Sequence, residues 1–347
     1  MSESLRVEDF DYELPEELIA QQPLEKRDQS RLMVVERDNR SIHHTQFPEI
    51  LEWLEPGDLM IFNDTRVIPA RLWGKRLPGG GKTEVLLLRA VTEDSWEALV
   101  RPGRKIRPGQ KIYFGGKEEL EAITKERTTF GGRILRFNQQ GAVLRKSINE
   151  LGEVPLPPYI KAPLQNRERY QTIYAKEEGS VAAPTAGLHF TADLLGKIKE
   201  KGIRTGLLTL HVGLGTFRPV KVENVEEHQM HSEYFQISKE LALEVARVKA
   251  ADHRVIAVGT TTARTLETMG NEEGTINPGS GWTDIFIYPG YKFKVLDGLV
   301  TNFHLPRSTL LMLVSAFADR ELILTAYQEA VRERYRFFSF GDAMLII

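Results

Sequence analysis

The 347-residue sequence contains no cysteine. This absence excludes disulfides, thiolate nucleophiles, iron–sulfur clusters and zinc sites with cysteine ligands. Long apolar runs are also missing, since the longest one, Ser308–Ala318, has eleven residues and is too short to span a bilayer. The N-terminal residues are acidic and lack the apolar core of a signal peptide. We therefore expect a cytoplasmic protein that binds no membrane.

The net charge of −2 gives little overall excess of charge for a nucleic-acid partner. The basic residues are nevertheless concentrated. Residues 66–117 hold 12 Lys and Arg against 4 Asp and Glu, a local balance of +8 that leaves −10 for the rest of the chain. Such asymmetry suggests a polyanionic partner for the basic region. A basic, solvated sheet surface would give the same pattern.

The length favours about two domains, and a composition of 41% hydrophobic and 27% charged residues is typical of globular proteins. Residues 66–150 have the pattern of five or six short strands separated by turns, without a long helix, which predicts a small barrel or sandwich. Residues 151–347 alternate strands and helices, which indicates an α/β layer. The predicted fold class is α/β with two domains: an α/β layered domain (1–68 and 151–347) and an inserted small antiparallel β-barrel (69–150).

The predicted elements of the C-terminal region follow from its hydrophobic pattern. The expected strands are Gly202–His211, Arg254–Gly259 and Asp284–Tyr288. The expected helices are Thr191–Glu200, a helix that follows Thr260 and runs through Met269, Lys239–Ala251, Thr309–Ala318 and Arg320–Tyr335. A further short helix is expected near the N-terminus, at Glu16–Gln22.

Polar residues cluster where predicted strands end. Asn63, Asp64, Thr65 and Arg66 follow the strand Leu59–Phe62. An open α/β sheet binds its ligands beyond the carboxyl ends of its strands. Asp64 could there accept a proton or orient a substrate hydroxyl, although an Asx turn that caps the strand explains the same residues.

A second cluster, Gly259–Arg264, follows another buried strand. It resembles a strand-to-helix turn, in which backbone N–H groups and the hydroxyls of Thr260 and Thr261 meet an anionic group. Arg264 would reinforce the recognition of a carboxylate or phosphate. The alternative is a helix cap beside a surface arginine.

A glycine-bearing loop follows the strand that ends near His211. It contains Gly213, Gly215 and Thr216, but Arg218 stands where a dinucleotide fingerprint needs its third glycine. This excludes a nicotinamide site and leaves open a loop that cradles another ligand.

Histidines and amides supply candidates for proton transfer. His189 follows a run of small residues that includes Thr185, and a structural histidine is the alternative there. His304 lies two residues after Asn302, and neither has an obvious structural duty. Asp342, near the C-terminus, is either a buried acid or a turn residue.

His228 and His231 are three residues apart and could chelate a metal together with His211. The spacing is not the H-E-x-x-H of the zincins, and pairs at this spacing are common by chance. The pair could instead bind an anion or shuttle protons. We expect no metal.

Together these strings closely resemble the S-adenosylmethionine:tRNA ribosyltransferase-isomerase family of queuosine biosynthesis, from about Val7 to Ile346. The strings that carry the resemblance are DFDYELP (9–15), RDQSRLM (27–33), NDTRVIPARL (63–72), GEVPLPPYI (152–160), YQTIY (170–174), VAAPTAGLHFT (181–191), TLHVGLGTF (209–217), HQMH (228–231), VGTTTARTLE (258–267), TNFHLPRSTLLMLVSAFA (301–318) and YRFFSFGDAMLI (335–346). Asn166 departs from the family pattern, where many members carry Asp, and Phe340 stands where Tyr is common.

The resemblance implies an enzyme that moves the ribosyl portion of S-adenosylmethionine onto 7-aminomethyl-7-deazaguanine at the tRNA wobble position. The product is epoxyqueuosine, and adenine and methionine leave. A base would remove a proton from the ribose methylene next to the sulfonium, adenine loss would follow, and ring closure with epoxide formation would expel methionine. S-adenosylmethionine is a co-substrate, and no other cofactor is implied. The implied fold is an α/β domain with an inserted β-barrel.

The resemblance also suggests roles for the residue clusters. The candidates for proton transfer are Asp64, His189, His211, His228, His231 and His304. The candidates for substrate binding are Asn63, Thr65, Arg66, Thr185, Gly213, Gly215, Thr216, Thr260, Thr261, Arg264, Asn302 and Asp342, with Arg264 expected to hold the methionine carboxylate. The candidates for tRNA binding are Lys75, Arg76, Arg101, Arg104, Lys105 and Arg107. The residues leave two other classes open: a metal-dependent hydrolase that uses the histidine cluster, and a non-catalytic RNA-binding protein.

Overall fold

The computed structural model describes residues 5–116, 119–128, 131–213 and 220–347. These residues fall into two compact units. The first, which we call the α/β unit, comprises Met1–Thr65, Pro158–Glu177 and Ala183–Ile347. The second, the barrel unit, comprises Arg66–Pro157 and Glu178–Ala182.

The secondary structure follows the chain in this order. The strands are β1 (Arg31–Glu36), β2 (Ser41–Gln46), β3 (Leu59–Asn63), β4 (Thr65–Val67), β5 (Arg71–Leu77), β6 (Lys82–Ala90), β7 (Ser95–Arg101), β8 (Lys111–Gly115), β9 (Leu120–Arg127), β10 (Arg133–Phe137), β11 (Glu177–Ser180), β12 (Arg204–Leu210), β13 (Glu233–Ile237), β14 (Val255–Val258), β15 (Gly279–Thr283), β16 (Gly298–Asn302) and β17 (Ala343–Ile346). The α-helices are α1 (Gly141–Leu151), α2 (Ala192–Glu200), α3 (Lys239–Ala250), α4 (Thr260–Met269), α5 (Thr309–Phe317) and α6 (Arg320–Arg332). Short 3₁₀ helices include Val7–Phe10, Glu16–Leu18, Arg27–Gln29, Phe47–Trp53, Gly103–Lys105, Arg167–Tyr170, Thr185–His189 and Val225–Glu227.

Within the described ranges, nine strands of the α/β unit form one sheet in the order β15-β13-β12-β3-β14-β16-β17-β1-β2. The central strands β12, β3, β14 and β16 run parallel to one another. Strand β17 is antiparallel to β16, and β1 is parallel to β17. The carboxyl ends of the central strands therefore share one edge of the sheet with the amino ends of β17 and β1.

The core of this unit consists of the continuous apolar strands and the helix faces that cover them. Every residue of β3, β14 and β17 is buried, as expected of strands covered on both faces. Phe190 stands edge-on to both Phe47 and Phe62, with ring centroids 5.0 Å apart in each pair. Such edge-to-face pairs are a favourable arrangement of aromatic rings.

Side-chain oxygens cap the N-termini of most helices of this unit. Thr191, Ser238, Ser308 and Asp319 accept a hydrogen bond from a first-turn N–H of α2, α3, α5 and α6. Helix α4 differs, because its N-cap is Gly259, which has no side chain and adopts a φ of +95°. The first N–H groups of α4 are therefore not capped by a side chain.

The strands of the barrel unit close on themselves in the order β10-β7-β6-β5-β8-β9, with antiparallel neighbours. Apolar side chains fill the interior, among them Leu72, Val85, Ile112 and Leu135. The predicted fold class, an α/β layer with an inserted antiparallel β-barrel, is confirmed.

Three details of the predicted secondary structure are wrong. Residues 284–288 form no strand, and the preceding segment Gly279–Thr283 is the strand, because it pairs with β13 despite its glycines. Helix α1 was not expected in the barrel region, although Leu144 and Ile148 bury one of its faces. The predicted helix at Glu16–Gln22 is a 3₁₀ turn of three residues, Glu16–Leu18.

Among the described residues, no helix combines the length and the apolar character that crossing a membrane requires.

Candidate functional site

The sheet topology collects residues that are far apart in sequence at one edge. Asn63 ends β3, and Asn302 ends β16. Gly259 follows β14, and His211 follows β12. Ser30 immediately precedes β1, which starts at the same edge. Because parallel strands end together, the predicted clusters become neighbours, and this edge is the candidate site.

A cleft with about 650 Å³ of empty space lies at this edge. Its walls come from the segments 183–186, 259–261 and 301–305, with Tyr159 and Ser339. The predicted site residues that line it are Thr185, Thr260, Thr261, Asn302 and His304.

Small residues let the segment 182–189 wrap closely around this edge. A Cβ atom at Gly187 would come within 2.0 Å of the Tyr174 hydroxyl and 2.8 Å of the Thr172 methyl carbon. Only glycine fits there, and the tight 3₁₀ helix Thr185–His189 that results sets Thr185 at one end and His189 at the other.

A continuous chain of hydrogen bonds joins Ser30, His189, Asn302 and Thr185; we call it the relay. Ser30 Oγ lies 2.7 Å from His189 Nδ1, and Asn302 Nδ2 lies 3.1 Å from His189 Nε2. The Thr185 hydroxyl donates to Asn302 Oδ1 over 2.9 Å. Since Thr185 and Asn302 line the cleft and Ser30 and His189 lie behind them, the relay supports the wall of the cleft from inside the protein.

The relay fixes the protonation state of His189. The Asn302 amide nitrogen is a donor that also faces the carbonyl of Asp342 at 3.5 Å, so His189 Nε2 accepts and Nδ1 carries the proton toward Ser30. Burial, followed by the charges of Arg336 and Arg27, lowers the pKa of His189 to about 3. Both ring nitrogens are occupied by protein partners. This geometry suits a positioning residue better than a group that exchanges protons with a substrate.

His304 has a different setting. It lines the cleft, and its Nε2 lies 2.8 Å from the Thr301 hydroxyl, which leaves Nδ1 outside that hydrogen bond. Its backbone N–H donates to the Tyr327 hydroxyl over 3.0 Å. Burial lowers the pKa of His304 to about 3, so the imidazole is neutral near pH 7.

Asn63 ties the neighbouring strand ends together. Its Nδ2 donates to the carbonyl of Leu210 over 2.9 Å and to the Thr261 hydroxyl over 3.3 Å. Its Oδ1 accepts from the N–H groups of Leu210 and Thr65. The side chain thus bonds to the backbone of β12 and of Thr65 at the start of β4, and Thr261 connects it to the cleft.

Asp64 and His211 lie beside Asn63 and not on the cleft wall. Asp64 Oδ1 accepts from the Thr209 hydroxyl over 2.7 Å, and burial raises the pKa of Asp64. His211 Nδ1 lies 2.8 Å from the Thr65 hydroxyl, and burial lowers the pKa of His211. These groups form a second polar cluster, which Asn63 and Thr261 link to the first.

The guanidinium group of Arg264 is already paired with a carboxylate of the protein. Its Nη1 forms an ion pair with Glu233, and both side chains are 4% exposed. Its Nε donates to the carbonyl of Ile285 over 3.2 Å. Glu233 also accepts from the N–H of Gly213 over 2.8 Å. This buried pairing weighs against the expected role of Arg264 in binding the methionine carboxylate.

The Asp342 carboxylate joins two backbone segments by hydrogen bonds. One carboxylate oxygen accepts from the N–H of Arg31 over 2.9 Å, and the other accepts from the N–H of Arg336 over 2.8 Å. Burial raises the pKa of Asp342, and these two hydrogen bonds act in the opposite direction. The carboxylate thereby holds the start of β1 beside the segment that leads into β17.

Three other predicted site residues, His228, His231 and Arg66, do not line the cleft. His228 and His231 are half-buried, and His228 stands edge-on to Phe286 at 5.2 Å. Arg66 belongs to the barrel unit, and Gly215 and Thr216 lie outside the described residues. In the part of the chain that the structure describes, no three His, Asp or Glu side chains are grouped so as to hold a metal ion.

The predicted tRNA-binding residues lie on the barrel unit. Exposed side chains are those of Lys75, Arg101, Arg104, Lys105 and Arg107, and Arg76 is half-buried against Gly81. Buried Arg133 donates to the carbonyls of Gly103 (2.7 Å) and Ile106 (2.9 Å). A guanidinium inside the barrel therefore holds the turn that displays Arg104 and Lys105.

Sequence reasoning missed Ser30, Tyr159, Thr301, Glu233 and Ser339. Ser30 stands in the RDQSRLM string that carried the family resemblance, so a signal for it was present. Tyr159, Thr301 and Ser339 also stand in strings that carried the resemblance, but their place at the cleft comes from the strand order. Glu233 stands in none of these strings and has no local signal.

An α/β sheet with a cleft at its carboxyl edge, together with a closed antiparallel β-barrel in the same chain, is the fold that the resemblance implied. The sequence profile of the family described as "Queuosine biosynthesis protein" matches residues 7–346. The chain belongs to this family, as its sequence predicted.

Relatives agree over the full length. A protein of Halothermothrix orenii and one of Moorella thermoacetica, both named S-adenosylmethionine:tRNA ribosyltransferase-isomerase, are 58% and 57% identical to this chain over 99% of it and 100% of their own lengths. The crystal structure of an S-adenosylmethionine tRNA ribosyltransferase from Thermotoga maritima is similar with a TM-score of 0.56 at 43% identity, covering 98% of this chain and 100% of that one.

The relay predicts how His189 titrates. Its ¹³Cε1 and ¹Hε1 resonances, identified by their loss in His189→Gln, should not shift between pH 8 and pH 5, because the pKa lies near 3. Asn302→Asp replaces the N–H donor with a carboxylate, and the His189 pKa should then rise into the measured range. A wild-type His189 that titrates near pH 6.5 would contradict the assignment.

Proposed function

We propose that this protein is the enzyme that transfers and isomerises the ribosyl moiety of S-adenosylmethionine onto 7-aminomethyl-7-deazaguanine at the tRNA wobble position. The products are epoxyqueuosine in the tRNA, free adenine and free methionine. The observation that carries the proposal is the cleft lined by Thr185, Asn302 and His304 in a chain that matches the family over residues 7–346. S-adenosylmethionine is the co-substrate, and the proposal involves no other cofactor.

The cleft suits a nucleoside. The Thr185 hydroxyl donates to Asn302, so its oxygen lone pairs remain available to accept from a ribose hydroxyl. Thr260 and Thr261 add hydroxyls on the facing wall, and Tyr159 and Phe338 supply aromatic surface for a base. The relay holds this wall rigid before the substrate arrives, which lowers the entropy cost of orienting it.

The methionine carboxylate needs a positive partner other than Arg264, which is paired with Glu233. The start of α4 meets this need. Its N–H groups lack a side-chain cap, they lie on the cleft wall at Gly259–Thr261, and the helix dipole favours an anion there. We therefore place the carboxylate at the start of α4.

Proton transfer is assigned to His304. Of the predicted catalytic residues that the structure describes, it is the one on the cleft wall. The imidazole is neutral and has a ring nitrogen outside its bond to Thr301, so it can hydrogen-bond the departing adenine; toward the methylene next to the sulfonium it is a weak base, because burial lowers its pKa to about 3. His189 then acts through Asn302, and Asp64 and His211 act through Asn63 and Thr261.

The barrel unit provides the tRNA contact in this proposal. The exposed residues Arg101, Arg104, Lys105 and Arg107 lie on one short stretch, which Arg133 fixes from inside the barrel. Phosphate contacts of this kind give affinity without reading sequence and position the nucleic acid on the protein.

The test of the reaction is release of adenine and methionine from S-adenosylmethionine, measured by chromatography with tRNA that carries 7-aminomethyl-7-deazaguanine. His304→Gln should lower kcat by about 10²-fold or more, as expected for loss of an acid–base group. Thr185→Val should raise KM for S-adenosylmethionine, because it removes a cleft hydroxyl. The matched controls are His43→Gln and Thr325→Val, which change exposed residues and should act as wild type.

No adenine from folded wild-type protein, or release that does not depend on the modified base, would contradict the proposed reaction. Unchanged kcat in His304→Gln, with the reaction intact in wild type, would contradict the role of His304 only.

The barrel contact predicts a salt effect. In the double variant Arg104→Gln/Lys105→Gln, the slope of log K for tRNA against log salt should become shallower by about 1 to 2, since each phosphate contact contributes about 0.7 to 0.9. KM for S-adenosylmethionine should not change. Lys239→Gln, an exposed lysine on α3, is the control. Equal tRNA affinity and slope in the double variant and the control would show that tRNA binds elsewhere.

A further inference from the structure

A second cavity lies behind the relay, with about 300 Å³ of empty space. His189 and Ser30 line it together with Arg27 and Arg169. Ser339 lines both this cavity and the cleft. The two spaces are therefore separated by little more than the relay and Ser339. We call the second one the arginine pocket.

A third arginine stands next to the arginine pocket. Arg336 donates to the carbonyl of Gln22, which directly precedes the lining residue Pro23. Its positive charge, like that of Arg27, lowers the pKa of His189. Arg27 and Arg169 also repel each other, which contributes to the lowered pKa of Arg27.

The protein gives these three guanidinium groups only neutral partners. Arg27 donates to the carbonyls of Leu188 (3.3 Å) and Glu168 (2.8 Å). Arg169 donates to the carbonyls of Leu24 (2.6 Å) and Glu25 (2.9 Å). Among the described residues, no carboxylate lies within ion-pair distance of any of the three.

The nearest carboxylates act only from a distance. Despite attraction from Glu168 and Asp342, burial lowers the pKa of both Arg27 and Arg336, and both oxygens of Asp342 already accept backbone N–H groups. Moreover, Arg169 Nε and Arg336 Nη1 are buried and have no hydrogen-bond partner in the described structure. Buried N–H groups of this kind are costly unless a ligand satisfies them.

We propose that the arginine pocket binds a backbone phosphate of the tRNA, next to the nucleotide whose base enters the cleft. The inference rests on the proposed function for the identity of the polyanion. Guanidinium groups whose donors are fixed by carbonyls match the oxygens of a phosphate, and the shared wall keeps the pocket close to the cleft. A nucleotide that places its base in the cleft carries phosphates on both sides of its sugar, so one of them can reach the pocket.

The test compares Arg169→Gln with wild type for binding of tRNA at several salt concentrations, without turnover. Near 0.1 M monovalent salt the dissociation constant should rise about fivefold, and the slope of log K against log salt should become shallower by about 0.7. KM for S-adenosylmethionine should stay at the wild-type value. Arg247→Gln, which removes an exposed arginine from α3, is the matched control and should leave binding unchanged.

Arg169→Lys guards against a purely structural effect, because it keeps the charge while changing the donors to the carbonyls. It should retain most of the salt slope, and thermal unfolding should show that all variants are folded. A raised KM for S-adenosylmethionine with unchanged tRNA binding would overturn the proposal and assign the pocket to the methionine carboxylate. Unchanged values for both substrates would also overturn it.

Binding without turnover separates this proposal from the proposed reaction. If wild type releases no adenine but Arg169→Gln still loses tRNA affinity with the shallower slope, the phosphate pocket stands and the reaction fails. If adenine is released and tRNA binding is unaffected, the reaction stands and the pocket fails.

Discussion

The orientation of one amide underlies the candidate site. Asn302 donates to His189 and accepts from Thr185, and turning the amide over would set its oxygen against the carbonyl of Asp342, which can only accept. Asn302 can make these contacts because it ends a parallel strand at the edge where β1 begins and the 3₁₀ helix Thr185–His189 passes. The same amide sets the tautomer of His189, since an N–H faces its Nε2, and burial keeps the ring neutral. The cleft wall, the relay and the boundary with the arginine pocket all depend on this arrangement.

The buried arginines differ in their partners, and this difference bears on function. Arg264 has Glu233 as its counter-ion, deep in the α/β unit. Arg133 has carbonyls as partners inside the barrel and holds a turn that displays basic side chains. Arg27 and Arg169 also have carbonyls but face a cavity. The guanidinium of Arg264 has an internal counter-ion, although its Nη2 is buried without a hydrogen-bond partner, whereas a cluster that has only carbonyls still carries an excess of positive charge. That excess is the reason to expect an anionic ligand in the arginine pocket.

Much of the architecture could be predicted from the sequence. The apolar runs of β3 and β14 and the turn-rich pattern of the barrel are local signals, and the resemblance strings identified the family. The clusters at strand ends were likewise visible, because Asn63, Thr260 and Asn302 each follow a buried strand. Strand β15 was misplaced because Gly279–Thr283 has poor local strand propensity and is a strand only through its pairing with β13.

The roles within the site could not be predicted in this way. Whether His189 or His304 faces the substrate depends on partners that are more than one hundred residues away, such as Ser30 and Asn302. Arg264 was expected to hold the methionine carboxylate. In the structure it pairs with Glu233, which only the tertiary fold brings near. Asp342 looked equally like an acid and a turn residue, and its two backbone hydrogen bonds favour a structural role. The geometry separates the predicted residues that line the cleft, such as Thr185 and His304, from those that lie behind or beside it, such as His189.

The most direct test of this account is a crystal structure of the protein with S-adenosylmethionine bound. The account predicts the ligand in the cleft, with a ribose hydroxyl at hydrogen-bond distance from Thr185, the methionine carboxylate at the start of α4, and the relay unchanged. A ligand that lies outside the cleft, or an Asn302 amide that turns over when it binds, would contradict the central claim.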